Sequence, residues 1–515
     1  MKARALTHVA LVAAAAAAAA AAAVSGMASA WQAERPALPK VSAPLSATQA
    51  SHAFSSSAQQ KQPLRLDDFG YVESEYLVQG RASVYERSDQ GPHPLVQGPY
   101  TTRILVRRPK IARRFSGTVI VEPMNPSEDA DLPIMWAESY EQFIADGDAW
   151  VGITIKPNTI ASLKAFDPIR YASLAMPNPR AAPGCAAAAI NAFSRPTTPA
   201  DESGLAWDML SQIGMLLKSA AQVLGQPAKR LYMTGQSQTA GYARLYASLF
   251  SQRVLGPDGR PLYDGYLYSG SPPWQVPINQ CQKDLPAGDP GLITAPAGVP
   301  VIEIFTQGDM GTNIPTRRPD SDTREDRFRR WEVAGAAHVD PWEGLSFAND
   351  SDMVRAHGRV TDNEEQVCSP RGMTPTDFPV RYVFDAAWRA LDEWVKHGVA
   401  PPHAPPLQLV ANAEGLPPDG MFVLDNHGNA LGGVRSPYVD VATARWIGAK
   451  SGPFICLFHG YKIPMSHDEW ARLYGDHAGY VGKVRASVTD LVAHKWLTPV
   501  DGEAIIREAD QSQVP

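Results

Sequence analysis

The chain predicts an α/β architecture, a mainly parallel sheet with helices on both faces. Three observations carry the prediction. Short, almost wholly apolar runs recur, among them Thr118-Val119-Ile120-Val121, Trp150-Val151-Gly152-Ile153-Thr154-Ile155 and Val301-Ile302-Glu303-Ile304-Phe305-Thr306, as strands buried on both faces require. Between them Leu205, Met209, Leu210, Ile213, Leu216, Leu217 and Ala220 fall at helical spacing. Strand and helix signals then alternate, the mark of βαβ units.

The elements follow in order. Lys2 and Arg4, an alanine-dominated apolar run from Val9 to Val24, and the small-x-small triplet Ala28-Ser29-Ala30 read as a cleavable export signal over residues 1–30. The run is short and weakly apolar, which favours a signal over a membrane anchor, so a secreted or periplasmic protein is expected. Residues 31–64, rich in Ala, Ser, Gln and Pro, read as a flexible linker. Tyr71 to Tyr85 and Tyr100 to Arg107 read as strands, ahead of those at Thr118 and Trp150. Residues 156–202 form a long loop or cap-like insertion with many Pro and Ala. The helix over 205–220 is stopped by Gly225. A strand from Arg230 and strands at Asp264 to Ser269, Val299 to Thr306 and Arg330 to Ala334 complete a core spanning 65–345. Residues 346–515 form a C-terminal extension. It holds an amphipathic helix at Tyr382 to Lys396 that stops at Gly398, with Pro401-Pro402 beyond. A hairpin at Met421 to Leu424 turns over Asp425-Asn426-His427-Gly428-Asn429, and helical segments run from Asp468 to Tyr474 and from Gly482 to Ala509.

Composition bounds the function. At 515 residues the chain exceeds one simple core, so one large domain with appended elements is expected. A net charge of −6 with no long basic run argues against nucleic acid as a partner. After signal cleavage no stretch is long and apolar enough to span a membrane. Cys185, Cys281, Cys368 and Cys456 are an even number in an exported chain, which allows up to two disulfides in three connectivities; buried free thiols are the alternative. Their irregular spacings are unlike zinc pairs. Asp425 to Asn429 reads as a turn, because no spaced acidic ligands follow it, so neither metal nor cofactor is expected.

The chemistry centres on Arg230-Leu231-Tyr232-Met233-Thr234-Gly235-Gln236-Ser237-Gln238-Thr239-Ala240. It reads as a short strand, a sharp turn bearing a serine, and a helix of small residues. That is how an α/β-hydrolase fold exposes its nucleophile, and the acid and histidine then follow in chain order. Asp309 comes just past the Val301 to Thr306 strand, and His338 just past the last one. Both lie at carboxyl ends of strands, where open α/β sheets place ligands. In this reading Ser237 attacks, His338 takes its proton, and Asp309 orients and stabilises the imidazolium. The Gln238 N–H is one oxyanion donor, and Met124 or Asn125, after the Val119 strand, supplies the second.

Each assignment competes with a plainer one. Gly344-Leu345-Ser346 repeats the Gly-x-Ser tripeptide without a strand before it, and Thr239 stands where the full motif has glycine. The flanking strand and helix give Ser237 its weight. His338 is one of 12 histidines, singled out by following the final strand. Glu303, Asp320, Asp322 and Asp340 are the other candidates for the acid. Asp167 and Arg170 are close enough in sequence to pair and pin a cap, and Trp136, Trp207 and Trp274 line a pocket or pack the core.

With these residues in hand, the chain resembles a family of mostly bacterial, often exported proteins called α/β hydrolase domain-containing proteins. The likeness runs through Gly70-Tyr71-Val72-Glu73-Ser74-Glu75-Tyr76, Val121-Glu122-Pro123-Met124-Asn125, Phe166-Asp167-Pro168-Ile169-Arg170-Tyr171, Gly235-Gln236-Ser237-Gln238, Trp331-Glu332-Val333-Ala334-Gly335-Ala336-Ala337-His338 and Gly428-Asn429-Ala430-Leu431-Gly432-Gly433. The resemblance implies a serine-hydrolase triad on Ser237 and His338. It also implies a C-terminal segment that belongs to the same catalytic unit. Relatives tend to carry Glu and Asp in the acid turn; here Gln307 takes the first place, leaving Asp309. The expected activity is hydrolysis of a small-molecule carboxylic ester through an acyl-enzyme. An amidase or acyltransferase with the same triad, and a non-catalytic binding protein on this fold, are the alternatives.

Overall fold

The apolar runs become the middle of one ten-stranded sheet. Its strands are β1 (Lys40–Val41), β2 (Tyr71–Ser88), β3 (Gly91–Pro109), β4 (Thr118–Pro123), β5 (Ala149–Ile153), β6 (Arg230–Gln236), β7 (Gly265–Ser269), β8 (Val301–Thr306), β9 (Ser321–Asp322) and β10 (Arg327–Val333). They lie in the order β1-β2-β3-β5-β4-β6-β7-β8-β10-β9. The six from β5 to β10 in that order run parallel, and the others pair antiparallel at the margins. The computed structural model describes residues 34–515 apart from 49, 89–90, 181–183, 187–195, 275, 284, 286–288, 361–367, 369–372, 415 and 451–453. The expected export signal lies outside the described residues.

Successive residues of the central strands feed two separate cores, as a period of two requires. Val119, Val121, Leu231 and Met233 pack with Leu210, Ile213 and Tyr242 of α3 (Ala206–Ser219) and α4 (Gln238–Leu249). Ile120, Tyr232, Leu267 and Ile302 pack with Trp136 of α1 (Ile134–Asp146) and with Trp388 and Leu391 of α5 (Arg381–His397). Helices therefore cover both faces. A third cluster joins Tyr382 to Val484, Val488 and Ile505 of α6 (His477–Ala493) and α7 (Pro499–Gln511).

The described part of the expected linker departs from that expectation. β1 pairs with β2, and Phe54 is 1% exposed. The buried guanidinium of Arg103 donates to Phe54 O at 3.0 Å, and that of Arg107 to Ser55 O at 3.0 Å. These contacts use backbone carbonyls, which any sequence supplies, so composition did not reveal them. The insertion at 156–202 opens with α2 (Pro157–Phe166), which its proline-rich character concealed. The expected hairpin after Met421 is reduced to isolated bridges, Leu409↔Phe422 and Leu424↔Ala430. The last helix is interrupted before Pro499, where the Thr498 hydroxyl caps α7 by accepting from Asp501 N at 3.1 Å; proline cannot continue a preceding helix. The C-terminal extension adds to the sheet margin: Val434 bridges Val333 of β10 in parallel. Disulfides join Cys185 to Cys281 and Cys368 to Cys456.

Candidate active site

Ser237 sits between β6 and α4 with φ 56° and ψ −123°, a conformation that costs a non-glycine residue about 1–3 kcal/mol. Its N–H is held by Ser269 O at 2.9 Å. The turn is tight enough that a Cβ on Gly235 would lie 2.5 Å from the Thr239 carbonyl. Thr239 fits without the usual glycine because its hydroxyl donates to Gln236 O at 3.0 Å, inside the same turn.

The sheet brings the other two residues to the serine. His338 Nε2 is 3.0 Å from Ser237 Oγ, and His338 Nδ1 is 2.5 Å from Asp309 Oδ1. Asp309 Oδ2 accepts from Thr306 N at 2.7 Å and from Thr306 Oγ1 at 2.8 Å, which fixes the carboxylate at the end of β8. Gln307 Oε1 accepts from Gly335 N at 2.8 Å, so this side chain ties the acid turn to the histidine loop. The remaining acids point elsewhere. Glu303 is buried near Arg330, Asp320 and Asp322 meet His403, and Asp340 caps the turn at Trp342 N, 2.7 Å away.

Burial disfavours the His338 imidazolium. The Asp309 carboxylate, its hydrogen bond and the charge of Glu343 outweigh that pressure and raise the pKa above 6.5. Burial in turn pushes Glu343 up to about 7, against the pull of His338.

The second expected oxyanion donor does not survive. Met124 N donates to Ile153 O at 3.0 Å and Asn125 N to Leu132 O at 2.9 Å, so both N–H groups are spent within the fold. The loop after β4 doubles back as a bridge between Asn125 and Leu132, which the sequence did not signal. Asn125 instead braces the nucleophile turn, donating from Nδ2 to Gln236 O at 3.0 Å. The Gln238 N–H opens α4 directly after Ser237 and meets no acceptor among the described residues.

Two residues of the site went unread in the sequence. Gln236 Nε2 donates to His338 O at 3.1 Å and lies 3.4 Å from Nε2. Gly270, at φ 61°, leaves room for the triad: a Cβ there would lie 3.0 Å from the His338 ring and 3.1 Å from Asp309 Oδ1. The only available signal was a Gly after a strand, which is common. The Phe458 ring of the C-terminal extension packs 4.9 Å from that of His338. A Cβ on Gly448 would lie 2.5 Å from Ala336 O and 2.7 Å from Gly308 N, so the extension packs directly against the acid and histidine turns. Asp167 and Arg170 do not pair through their side chains. Asp167 Oδ1 accepts from Arg170 N at 2.9 Å, while the Arg170 guanidinium binds Glu75 at 2.6 Å. Trp136 and Trp207 are buried in the two cores and Trp274 is 41% exposed. Among the described residues no group of three His, Cys, Asp or Glu is arranged to hold a metal ion.

The model of a family described as "Alpha/beta hydrolase domain" matches residues 41–507. Similar solved structures include a fungal esterase from Rhizomucor miehei, with 8% identity over 53% of this chain and 79% of that one and a TM-score of 0.29. A putative dienelactone hydrolase from Klebsiella pneumoniae has 13% identity over 54% and 95%, with a TM-score of 0.26. A dienelactone hydrolase from Anabaena variabilis has 11% identity over 49% and 86%, with a TM-score of 0.24. No curated protein matches the sequence.

Proposed function

The chain belongs to the alpha/beta hydrolase domain family, and from that premise we propose that it is an exported serine hydrolase of carboxylic esters. The observation that carries the reading is the connected line Ser237 Oγ, His338, Asp309, with 3.0 and 2.5 Å between successive polar atoms. A hydroxyl is a poor nucleophile at neutral pH, and a base within hydrogen-bond reach activates it. Ser237 Oγ attacks the ester carbonyl as its proton passes to His338 Nε2. Asp309 holds Nδ1–H and stabilises the imidazolium. The charge that develops on the carbonyl oxygen meets the Gln238 N–H. His338 then gives the proton to the departing alkoxide, which leaves an acyl-enzyme on Ser237. Water, deprotonated by the same histidine, attacks the acyl carbon, and the acid leaves as Oγ recovers its proton. These steps need neither metal nor organic cofactor.

Export is part of the proposal. The 1–30 segment has the make-up of a cleavable signal, and two disulfides suit an oxidising compartment. Among the described residues no helix is long and apolar enough to cross a membrane.

The test is direct. The purified protein should hydrolyse short p-nitrophenyl esters and take a fluorophosphonate label on Ser237, and Ser237→Ala should lose the label and at least about a thousandfold in kcat. An unlabelled, inactive wild type, or an active Ser237→Ala, rules the reading out.

A further inference from the structure

Lys156 is a buried cation close to the nucleophile turn. It ends the segment that leaves β5 and forms the N-cap of α2. β5 pairs with β4 through Pro123↔Ile153, and β4 pairs with β6 through Val121↔Met233. Lys156 and Ser237 therefore leave the sheet from the same edge, with β4 between their strands. Asn125 spans part of this gap by donating to Gln236 O at 3.0 Å, and its loop continues to Asp129, which accepts from Asn158 Nδ2 at 2.9 Å.

The lysine is 5% exposed. Its Nζ stands 5.6 Å from the centre of the Tyr242 ring, and no carboxylate or hydrogen-bond acceptor among the described residues takes it. Lysines are seldom this buried unless paired. The acidic side chains of the loop after β4 have other partners, although Asp131 Oδ1 itself takes no hydrogen bond. Asp129 holds Asn158, and Asp131 Oδ2 is held by Arg103 at 2.8 Å.

Other unmet groups lie on the two helices that carry Lys156 and follow Ser237. Gln238 Nε2 and the Tyr242 hydroxyl lie one turn apart on α4, and Thr159 Oγ1 lies one turn on from Lys156 in α2. All three are buried without a hydrogen-bond partner. An ammonium, an amide N–H and two hydroxyls are all donors. Gln238 also follows Ser237 directly in the chain, at the first position of α4.

We infer that Lys156, with Gln238 and Tyr242, binds a carboxylate carried by the ester substrate. The preferred substrates are then esters with a free acid group, on either the acyl or the alcohol part. This rests on the reading of Ser237 as nucleophile and adds a substrate class to it. Lys156 acts in binding and does not touch the reacting atoms.

Two matched pairs test it and tell the acyl part from the alcohol part. The acyl pair is mono-4-nitrophenyl glutarate against 4-nitrophenyl pentanoate. The alcohol pair is 4-acetoxybenzoate against 4-methylphenyl acetate. The quantity read is the charged-to-neutral ratio of kcat/KM, compared between wild type and variant so that intrinsic reactivity cancels. In at least one pair Lys156→Met should lower this ratio about ten- to a hundredfold, chiefly through KM, the range for a hydrogen bond to a charged group. Lys156→Glu should lower it further. The pair that responds tells which side bears the acid. A ratio unchanged by Lys156→Met in both pairs overturns the inference. In the wild type alone, glutarate or benzoate should slow fluorophosphonate labelling of Ser237, while glutaramide and benzamide should not. Equal effects of acid and amide overturn it even if every Lys156 variant misfolds. A wild type that is neither labelled nor active on any ester instead overturns the nucleophile reading, so the two failures are distinguishable.

Discussion

His338 lives under opposed pressures: its burial favours the neutral ring, while Asp309 and Glu343 favour the charged one and prevail. In the proposed mechanism only the neutral ring accepts the serine proton, so activity should rise with pH as the ring deprotonates. The acid limb of kcat/KM for a p-nitrophenyl ester should therefore have its midpoint above 6.5, the ordinary value. Asp309→Asn removes the largest raising influence. It should shift that midpoint downward and cost about a thousand- to ten-thousandfold in kcat, because the ring loses both its charge partner and its tautomer. A wild-type midpoint at or below 6.5, or an Asn variant at full rate, counts against these roles. Ser237, Asp309 and His338 were readable because each is a chemically distinctive residue at the end of a strand. The oxyanion donors were less so. A backbone N–H has no residue type, and only the fold tells that those of Met124 and Asn125 are already donating.

At the scale of elements, α1 lacks a capping side chain of its own, its N-cap being Pro133. Glu122, at the end of β4, takes over that task from across the chain. Its carboxylate accepts from Met135 N at 2.9 Å, Trp136 N at 3.1 Å and Trp150 Nε1 at 2.7 Å. Glu122→Ala would leave these three buried donors unpaired. It should reduce unfolding free energy by on the order of 3 kcal/mol, read from the urea midpoint, and a change below about 0.5 kcal/mol would show that the cap is dispensable. The central strands were legible because period and apolarity write themselves into a short run. Helix α2 was not, since its proline lies at the first helical position, and its apolar residues Ile160, Leu163 and Phe166 are too few to stand out in a segment rich in Pro and Ala. The segment before Leu64 was not either, because the two arginines of β3 grip its carbonyls rather than its side chains.

Across the whole molecule, several buried carboxyls share one bias. Burial pushes Glu122, Asp148, Asp340 and Glu343 up to about 7. In unfolded chain they would titrate near 4, so between roughly pH 4.5 and 7 the native state binds more protons. Stability should then fall as pH rises through that window. The raised His338 acts in the same sense, since its contribution is present below 6.5 and is lost as the folded ring deprotonates. The melting temperature should accordingly be higher at pH 5.5 than at pH 7.5, and scanning calorimetry in matched buffers checks the sign. The family, the sheet and the order of the three residues were legible across this length, because they depend on local pattern and chain order. The union of the last third with the core was implied by resemblance alone; no periodicity announces that Gly448 packs against the turns of Asp309 and His338. That contact gives selection an unusual reach. If Ser237, Asp309 and His338 react as proposed, a gene shortened after the histidine would still encode all three and yet lose the packing against their turns, so mutations in the tail should be selected against along with those in the site.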